Sequence, residues 1–182
     1  MAMQFNGEFV VNRKRDEVYD FLTDPKRFSP LLPEYEGMTQ EDETHFTVKV
    51  RVGISHIRGT AEVKMHLAEA LRPTRALYKG QGKVVGGSAT LTASFDLEEP
   101  PEGGTKVKWN GEAQVFGPLT SIAGGLLQPV AKKNLEKLVS GLHQALAGQT
   151  QVAGAQAAQP TQPAAPEQPA QAANTGGPIG QR

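Results

Sequence analysis

The sequence contains no cysteine, and this absence excludes several kinds of site. Without a thiol there is no cysteine nucleophile, no cysteine-ligated zinc and no iron–sulfur cluster bound by thiolates of this chain. Disulfides are excluded as well, so a stable fold depends on a hydrophobic core. The chain has 182 residues, and a domain of about 150 residues buries roughly 68–70% of its unfolded surface, which is enough for such a core.

Long apolar runs and a net charge are also missing. No segment approaches the roughly 18–20 consecutive apolar residues of a membrane span, and the N-terminus lacks the apolar region of a signal peptide. We therefore expect a cytoplasmic protein. The formal net charge is zero, and the basic cluster Arg13–Arg15 is followed at once by Asp16 and Glu17. Because a nucleic-acid-binding surface is expected to be basic, we predict no nucleic-acid partner.

Recognisable catalytic and cofactor motifs are absent too. Gly80, Gly82 and Gly86 lack the spacing of a dinucleotide fingerprint, and a strand pattern follows them instead of a helix. The four histidines have no metal-ligand spacing, and His45 and His66 fall on solvent-facing strand positions. The acidic residues lie almost entirely on polar strand faces, where solvated charge is the simpler interpretation. We predict no catalytic residue, no metal site and no cofactor.

What is present is a regular alternation of apolar and polar residues. This pattern is typical of antiparallel strands with one face in water. A first strand ends at Val11, and Asp16–Leu22 then has helical spacing with acidic residues in its first turn. The proline-rich residues 25–37 predict only short helical turns. The alternation then recurs in five further segments, namely residues 46–52, 60–67, 76–84, 88–97 and 106–115.

The apolar face of these strands needs a cover, and residues 119–146 are the one element long enough to supply it. Their apolar side chains recur with the 3.6-residue period of an amphipathic helix. Gly124, Gly125 and Pro129 weaken the first turns, so we expect a frayed or bent beginning and a regular helix from about Pro129. Residues 147–182 are rich in alanine, glutamine and proline and predict a disordered tail. The predicted folded domain is therefore residues 1–146.

This order of elements resembles the helix-grip arrangement of the START-like, or SRPBCC, superfamily, which is also called Bet v 1-like. The predicted fold class is α+β, with a curved antiparallel β-sheet wrapped round a long C-terminal α-helix. In that fold the sheet and the helix do not close fully on each other. The resemblance therefore implies an internal cavity between them.

Several short segments follow one another in a characteristic order, namely Gly7–Val11, Asp16–Pro25, Leu32–Met38, Val50–Gly53, Ile57–Ala61, Gly80–Gly82, Gly104–Val107 and Val115–Leu119. Together they resemble the CoxG family of carbon monoxide dehydrogenase subunits over residues 3–146. One position departs from the family pattern, since Glu34 follows Pro33 where a glycine is usual. That departure is expected to change a turn and the shape of the cavity mouth.

The resemblance implies a non-enzymatic accessory protein associated with molybdenum hydroxylases such as carbon monoxide dehydrogenase. Its implied roles are binding an apolar, quinone-like or lipid-like ligand and linking the enzyme to the membrane. Family members with a membrane role carry an apolar or amphipathic C-terminal end. This tail has neither, so we expect membrane contact to be peripheral at most, on the inner face of the cytoplasmic membrane.

Three interpretations of the domain stay open at this point. Small residues on the presumed inner face either leave room for a ligand or let the sheet pack tightly on the helix. An enzyme of the cyclase or hydrolase type would need inward polar groups, and a ligand-free assembly module would need none. The predicted cavity lining is Phe28, Leu31, Leu32, Val50, Val63, Tyr78, Leu91, Phe95, Trp109, Leu127, Ala131 and Leu135. The polar tips of Tyr78 and Trp109 could orient a ligand or satisfy buried hydrogen bonds.

Overall fold

A computed structural model describes residues 1–151 of the protein, with side chains to residue 147. The strands are β1 (Ala2–Val11), β2 (Tyr35–Gln40), β3 (His45–Ile54), β4 (Ile57–Leu71), β5 (Arg75–Val84), β6 (Gly87–Glu98) and β7 (Thr105–Phe116). The helices are α1 (Arg15–Thr23), α2 (Pro25–Phe28) and α3 (Leu119–Gln151), and a 3₁₀ turn spans Ser29–Leu31. Of the predicted tail, residues 147–182, the part from residue 152 onward lies outside the described residues, and residues 147–151 belong to α3.

The strands form one antiparallel sheet in the order β1-β7-β6-β5-β4-β3-β2. Consecutive strands from β2 to β7 are neighbours, which short connections favour. Strand β1 instead pairs with β7 along its whole length, from Ala2 opposite Gln114 to Val11 opposite Thr105. Helices α1 and α2 therefore carry the chain from one edge of the sheet to the other. The predicted α+β class and the helix-grip arrangement are confirmed.

The proline-rich segment contains a strand that the sequence did not predict. After α2 and the 3₁₀ turn, β2 pairs with β3, and the register shifts between Tyr35 and Gly37. The expectation of helical turns alone over residues 25–37 is therefore wrong for residues 35–37, which belong to β2. Residues 35–40 have weak alternation of their own, so the pairing partner β3 determines their conformation. They lie at an edge of the sheet, where a short and irregular strand is common.

Helix α3 also begins earlier than expected. The prediction that the turns before Pro129 are frayed is wrong, because the chain is helical from Leu119 onward, and the alternative of a bend stays a prediction. The backbone N–H of Leu119 donates to the carbonyl of Gly86 at 2.9 Å, and Leu119, Ala123 and Leu127 are all buried. Packing of these residues on the sheet offsets the low helix propensity of the two glycines and the proline.

The core is divided into two clusters at opposite ends of the interface between the sheet and α3. The larger cluster lies where α1 and α2 dock, and it contains Val18, Phe21, Phe46, Tyr78, Phe95, Val107 and Leu146. The smaller cluster surrounds the first turns of α3 and contains Met3, Ile54, Val115, Leu119, Ala123 and Leu127. Val63, Leu91 and Leu135 are half-buried and belong to neither cluster. The side chains between the sheet and the helix therefore do not form one continuous core.

Candidate ligand-binding cavity

A cavity of about 980 Å³ lies between the sheet and the first half of α3. Ligand sites typically have volumes of about 300–1,000 Å³ and mostly apolar walls. The wall on the sheet side is apolar and comes from β1, β3, β5, β6 and β7 through Met3, Val50, Val52, Ile54, Val84, Ala89 and Val115. The helix contributes Leu119, Leu127, Val130 and Ala131. Apolar side chains thus face each other across a space that they do not fill.

The mouth of the cavity is polar and charged. Its basic residues are Arg51, Arg58, Lys133 and Lys137, and its acidic residues are Glu34 and Glu36. Arg51 Nε donates to Glu36 Oε1 at 3.2 Å and Thr60 Oγ1 donates to Glu36 Oε2 at 2.8 Å. The Thr60 hydroxyl, with smaller contributions from Arg51 and Lys49, lowers the pKa of Glu36. Glu36 is therefore an ionised and paired carboxylate rather than a poised general acid.

Glu34 gives the mouth an unusual backbone turn. Its φ angle is 56°, in the left-handed region that side chains other than glycine rarely adopt. Its carbonyl accepts from the backbone N–H of Arg51 at 2.8 Å, which fixes the turn against β3. The position where the family usually has glycine is thus one that requires a positive φ, and Glu34 occupies it at a cost. Both Pro33 and Glu34 line the cavity.

The glycines on the inner face separate the two interpretations of the small residues. A methyl group on Gly80 would lie 2.6 Å from Met65 Sδ and 2.8 Å from Leu91 Cγ, so neighbouring side chains already occupy that space. A methyl group on Gly111 would meet nothing within 4 Å. Tight packing therefore explains Gly80, whereas Gly111 faces open space. The inner face is packed in one part and open in another.

The structure distributes the predicted lining residues over four environments. Val50, Leu127 and Ala131 lie together in the wall of the large cavity. Val63 and Leu135 are half-buried and belong to neither core cluster. Leu91 also lines a second hollow of about 440 Å³, whose other residues include His45, Lys64, His66 and Lys79. The remaining predicted residues pack in or against the larger core cluster, and they are Phe28, Leu31, Leu32, Tyr78, Phe95 and Trp109.

Aromatic residues of the predicted set pack in the larger core cluster, at one end of the interface between the sheet and α3. Phe28 packs edge-to-face on Phe46 and Tyr78, with ring centroids 5.8 Å apart in each pair. The Tyr78 hydroxyl donates to the buried carbonyl of Leu22 at 3.0 Å. Burial raises the pKa of Tyr78, with smaller effects from the nearby charges. Of the two roles that the sequence left open for this hydroxyl, the structure shows a buried hydrogen bond to the backbone.

Trp109 has a different environment. Its ring lies against Gly7, where a methyl group would come within 2.6 Å of Trp109 Cζ2. The indole Nε1 is buried and has no hydrogen-bond partner among the described residues. A buried donor without a partner is unfavourable, and Trp109 packs against the larger core cluster rather than lining the cavity.

Sequence reasoning missed much of the cavity wall and its mouth. Val52, Ile54, Ala89 and Val115 follow the same strand alternation as the predicted residues, so the pattern placed them on the correct face but did not distinguish them. The charged mouth has no sequence signal, because Arg58, Lys133 and Lys137 come from elements far apart in the chain. Only the docking of the first half of α3 brings them to one opening.

The histidines do not form a metal site in the described part of the chain. His45 and His66 stack with ring centroids 4.3 Å apart, and the Asp42 carboxylate lies 3.0 Å from His45 Nδ1. Within residues 1–151 no group of three or more histidine, aspartate or glutamate side chains could hold a metal ion. No helix among these residues has both the length and the apolar character needed to cross a membrane.

The sequence matches the model of one protein family over most of its length. The model for CoxG, a carbon monoxide dehydrogenase subunit, matches residues 7–147. The chain belongs to the CoxG family. A search of curated proteins returned no significant match.

Solved structures of the same fold extend this comparison. A conserved protein from Geobacillus kaustophilus has a TM-score of 0.70 and 18% identity, covering 80% of this chain and 96% of the other. A START superfamily protein from Mycobacterium smegmatis has a TM-score of 0.56 and 14% identity, with 80% and 96% covered. The Zhui aromatase/cyclase from Streptomyces sp. R1128 has a TM-score of 0.57 and 13% identity, with 83% and 94% covered. At these identities the similarity shows a shared fold.

Proposed function

We propose that this CoxG-family chain is a non-enzymatic accessory protein that binds an apolar, quinone-like or lipid-like ligand between its sheet and α3. The observation that carries the proposal is the cavity of about 980 Å³ with apolar walls on both sides. An apolar molecule placed there gains about 25 cal/mol for each Å² removed from water. Val50, Leu127 and Ala131 are the predicted residues that would contact it.

The family name supplies the proposed partner. We propose a molybdenum hydroxylase of the carbon monoxide dehydrogenase type, with the ligand carried by the accessory chain rather than by the enzyme. A peripheral membrane contact belongs to the same proposal. Its support is a set of exposed apolar side chains near the start of α3, with Phe116 47%, Ile122 64% and Leu126 48% exposed. Exposed apolar clusters of this kind occur at protein or membrane contacts.

An enzymatic role is the second candidate, because one structure of the same fold is an aromatase/cyclase. Such an enzyme needs a titratable group with a pKa adjusted for proton transfer. Among the cavity-lining groups, Glu36 has a shifted pKa, and the shift is downward through Thr60 and Arg51. That direction suits a structural carboxylate better than a general acid, which favours the binding role.

Ligand binding can be tested on the full-length chain. Lipids and quinones extracted with organic solvent from the purified protein are identified by mass spectrometry, and the stripped protein is then titrated with decylubiquinone by calorimetry. We expect saturable binding that Ala131→Phe abolishes and that Ser140→Phe, on the exposed side of α3, leaves unchanged. No extracted ligand together with no heat of binding would defeat the proposal.

The partner is tested separately from the ligand. A tagged full-length chain should co-purify a molybdenum hydroxylase from a native host, and the enzyme should be recognisable by its molybdenum content. If Ala131→Phe retains the enzyme but loses the ligand, the chain both assembles and binds. If the enzyme is retained and no ligand is ever found, the ligand-free assembly role replaces the proposed one.

A further inference from the structure

The charges at the cavity mouth distinguish one class of apolar ligand from another. Four basic and two acidic side chains line the cavity, a surplus of two positive charges. One of the acidic groups, Glu36, is already paired with Arg51. In the described part of the chain, Arg58, Lys133 and Lys137 have no carboxylate within 4.0 Å. The basic groups therefore outnumber the carboxylates that could neutralise them.

The apolar wall continues directly into these basic groups. On α3, Leu127, Val130 and Ala131 line the interior, and Lys133 and Lys137 follow on the next turns of the same helix. On the sheet, Arg51 on β3 and Arg58 on the adjacent strand β4 are exposed residues at alternate positions to the apolar wall, and both line the opening. A molecule with its chain on the apolar wall would place its terminal group among these cations.

We propose that the cavity binds an amphipathic anion, an acyl or alkyl chain that ends in a carboxylate or phosphate group. The apolar chain lies on the interior residues, and Arg58, Lys133 and Lys137 pair with the anionic group. An uncharged ligand would leave these cations without a partner, whereas an anionic group replaces water as their counterion. This inference rests on the proposed function and specifies the ligand class of the same cavity.

Four probes with the same dodecyl chain test the inference. Dodecanoate, dodecyl phosphate, dodecanol and dodecyltrimethylammonium are each titrated into the full-length protein by calorimetry, below their micelle concentrations. We expect the two anions to bind at least about tenfold more tightly than dodecanol, and we expect added salt to weaken only the anions. Tighter binding of dodecanoate identifies a free fatty acid as the preferred ligand, and tighter binding of dodecyl phosphate identifies a lipid phosphate group.

The variants use the exposed lysines of α3. Lys133→Gln combined with Lys137→Gln should weaken anion binding by about three- to tenfold and leave dodecanol unchanged. Lys132→Gln is the matched control, because Lys132 is an exposed neighbour that does not line the cavity. Glu34→Gln removes the acidic group of the mouth that forms no ion pair in the described chain, and it should strengthen anion binding by a similar factor. Unchanged circular dichroism and unfolding midpoints show that each variant is folded.

Two negative results have different meanings. If dodecanol binds as tightly as the anions and neither variant changes the affinities, the inference is overturned while the apolar cavity remains. If none of the dodecyl probes binds and decylubiquinone does not bind either, both the inference and the proposed function fail.

Discussion

Filling the cavity gives the sharpest quantitative prediction of the account. Ala131→Leu adds three carbon atoms to a helix position that faces the open space. Each buried CH₂ contributes about 0.8 kcal/mol, so complete burial would add about 2.4 kcal/mol. Because Ala131 is only half-buried, we expect a gain of about 1 kcal/mol or less. The free energy of unfolding of the full-length chain should stay the same or rise slightly.

A packed position on the same helix provides the control. Ala123 is 2% exposed and does not line the cavity, so Ala123→Leu has no empty space to enter. Overpacking of this kind costs about 1–3 kcal/mol. The two variants should therefore differ by at least about 1 kcal/mol in urea unfolding followed by circular dichroism, with equal m-values. If Ala131→Leu is as destabilised as Ala123→Leu, the interior is solid and the reasoning is refuted.

Three further predictions concern individual residues. Gly7→Ala should destabilise the protein by about 1–3 kcal/mol, because its methyl group would meet the indole ring of Trp109. Gly111→Ala should stabilise the protein by about 0.4–1 kcal/mol, because its methyl group would enter open space. Equal effects of the two variants on thermal unfolding would contradict this prediction. Tyr78→Phe leaves the Leu22 carbonyl unpaired and should cost about 1–3 kcal/mol in urea unfolding, with ligand affinity unchanged. A hydrogen bond from the Thr44 backbone N–H and a weaker effect of the His45 side chain hold the pKa of Asp42 at about 2, below the usual 3.8. The resulting stabilisation of the folded state is complete above pH 3.8 and is lost as the pH falls through about 2. An NMR titration of this carboxyl with a midpoint near 3.8 would contradict the assignment.

The sequence predicted the fold because its strongest signals are local. Alternation along residues 46–52 and 106–115 indicated strands, and both segments lie within observed strands. Strand β2 was missed because it has little alternation of its own and depends on pairing with β3. The early start of α3 was missed because packing of Leu119 and Ala123 outweighs the local effects of Gly124 and Pro129.

The cavity was harder to predict than the fold. Alternation identifies which side chains face inward, but it does not show how far the helix stands from each strand. Tyr78 and Leu127 face the same interior in the sequence pattern. In the structure the Tyr78 hydroxyl donates a hydrogen bond to the Leu22 carbonyl in the larger core cluster, whereas Leu127 lines the cavity. The distinction depends on where α1 and α2 dock, which is a tertiary property.

The central claim is that a guest molecule lies between the sheet and the first half of α3, and an anomalous diffraction experiment tests it most directly. Crystals of the full-length protein are grown separately with bromodecyl-ubiquinone and with 12-bromododecanoate, whose bromine atoms mark the ends of their alkyl chains. We expect a bromine peak between Ala89 on β6 and Ala131 on α3 with at least one of the two ligands. A bromine peak only on the outer face of the sheet, or no ordered bromine with either ligand at saturation, would contradict the claim.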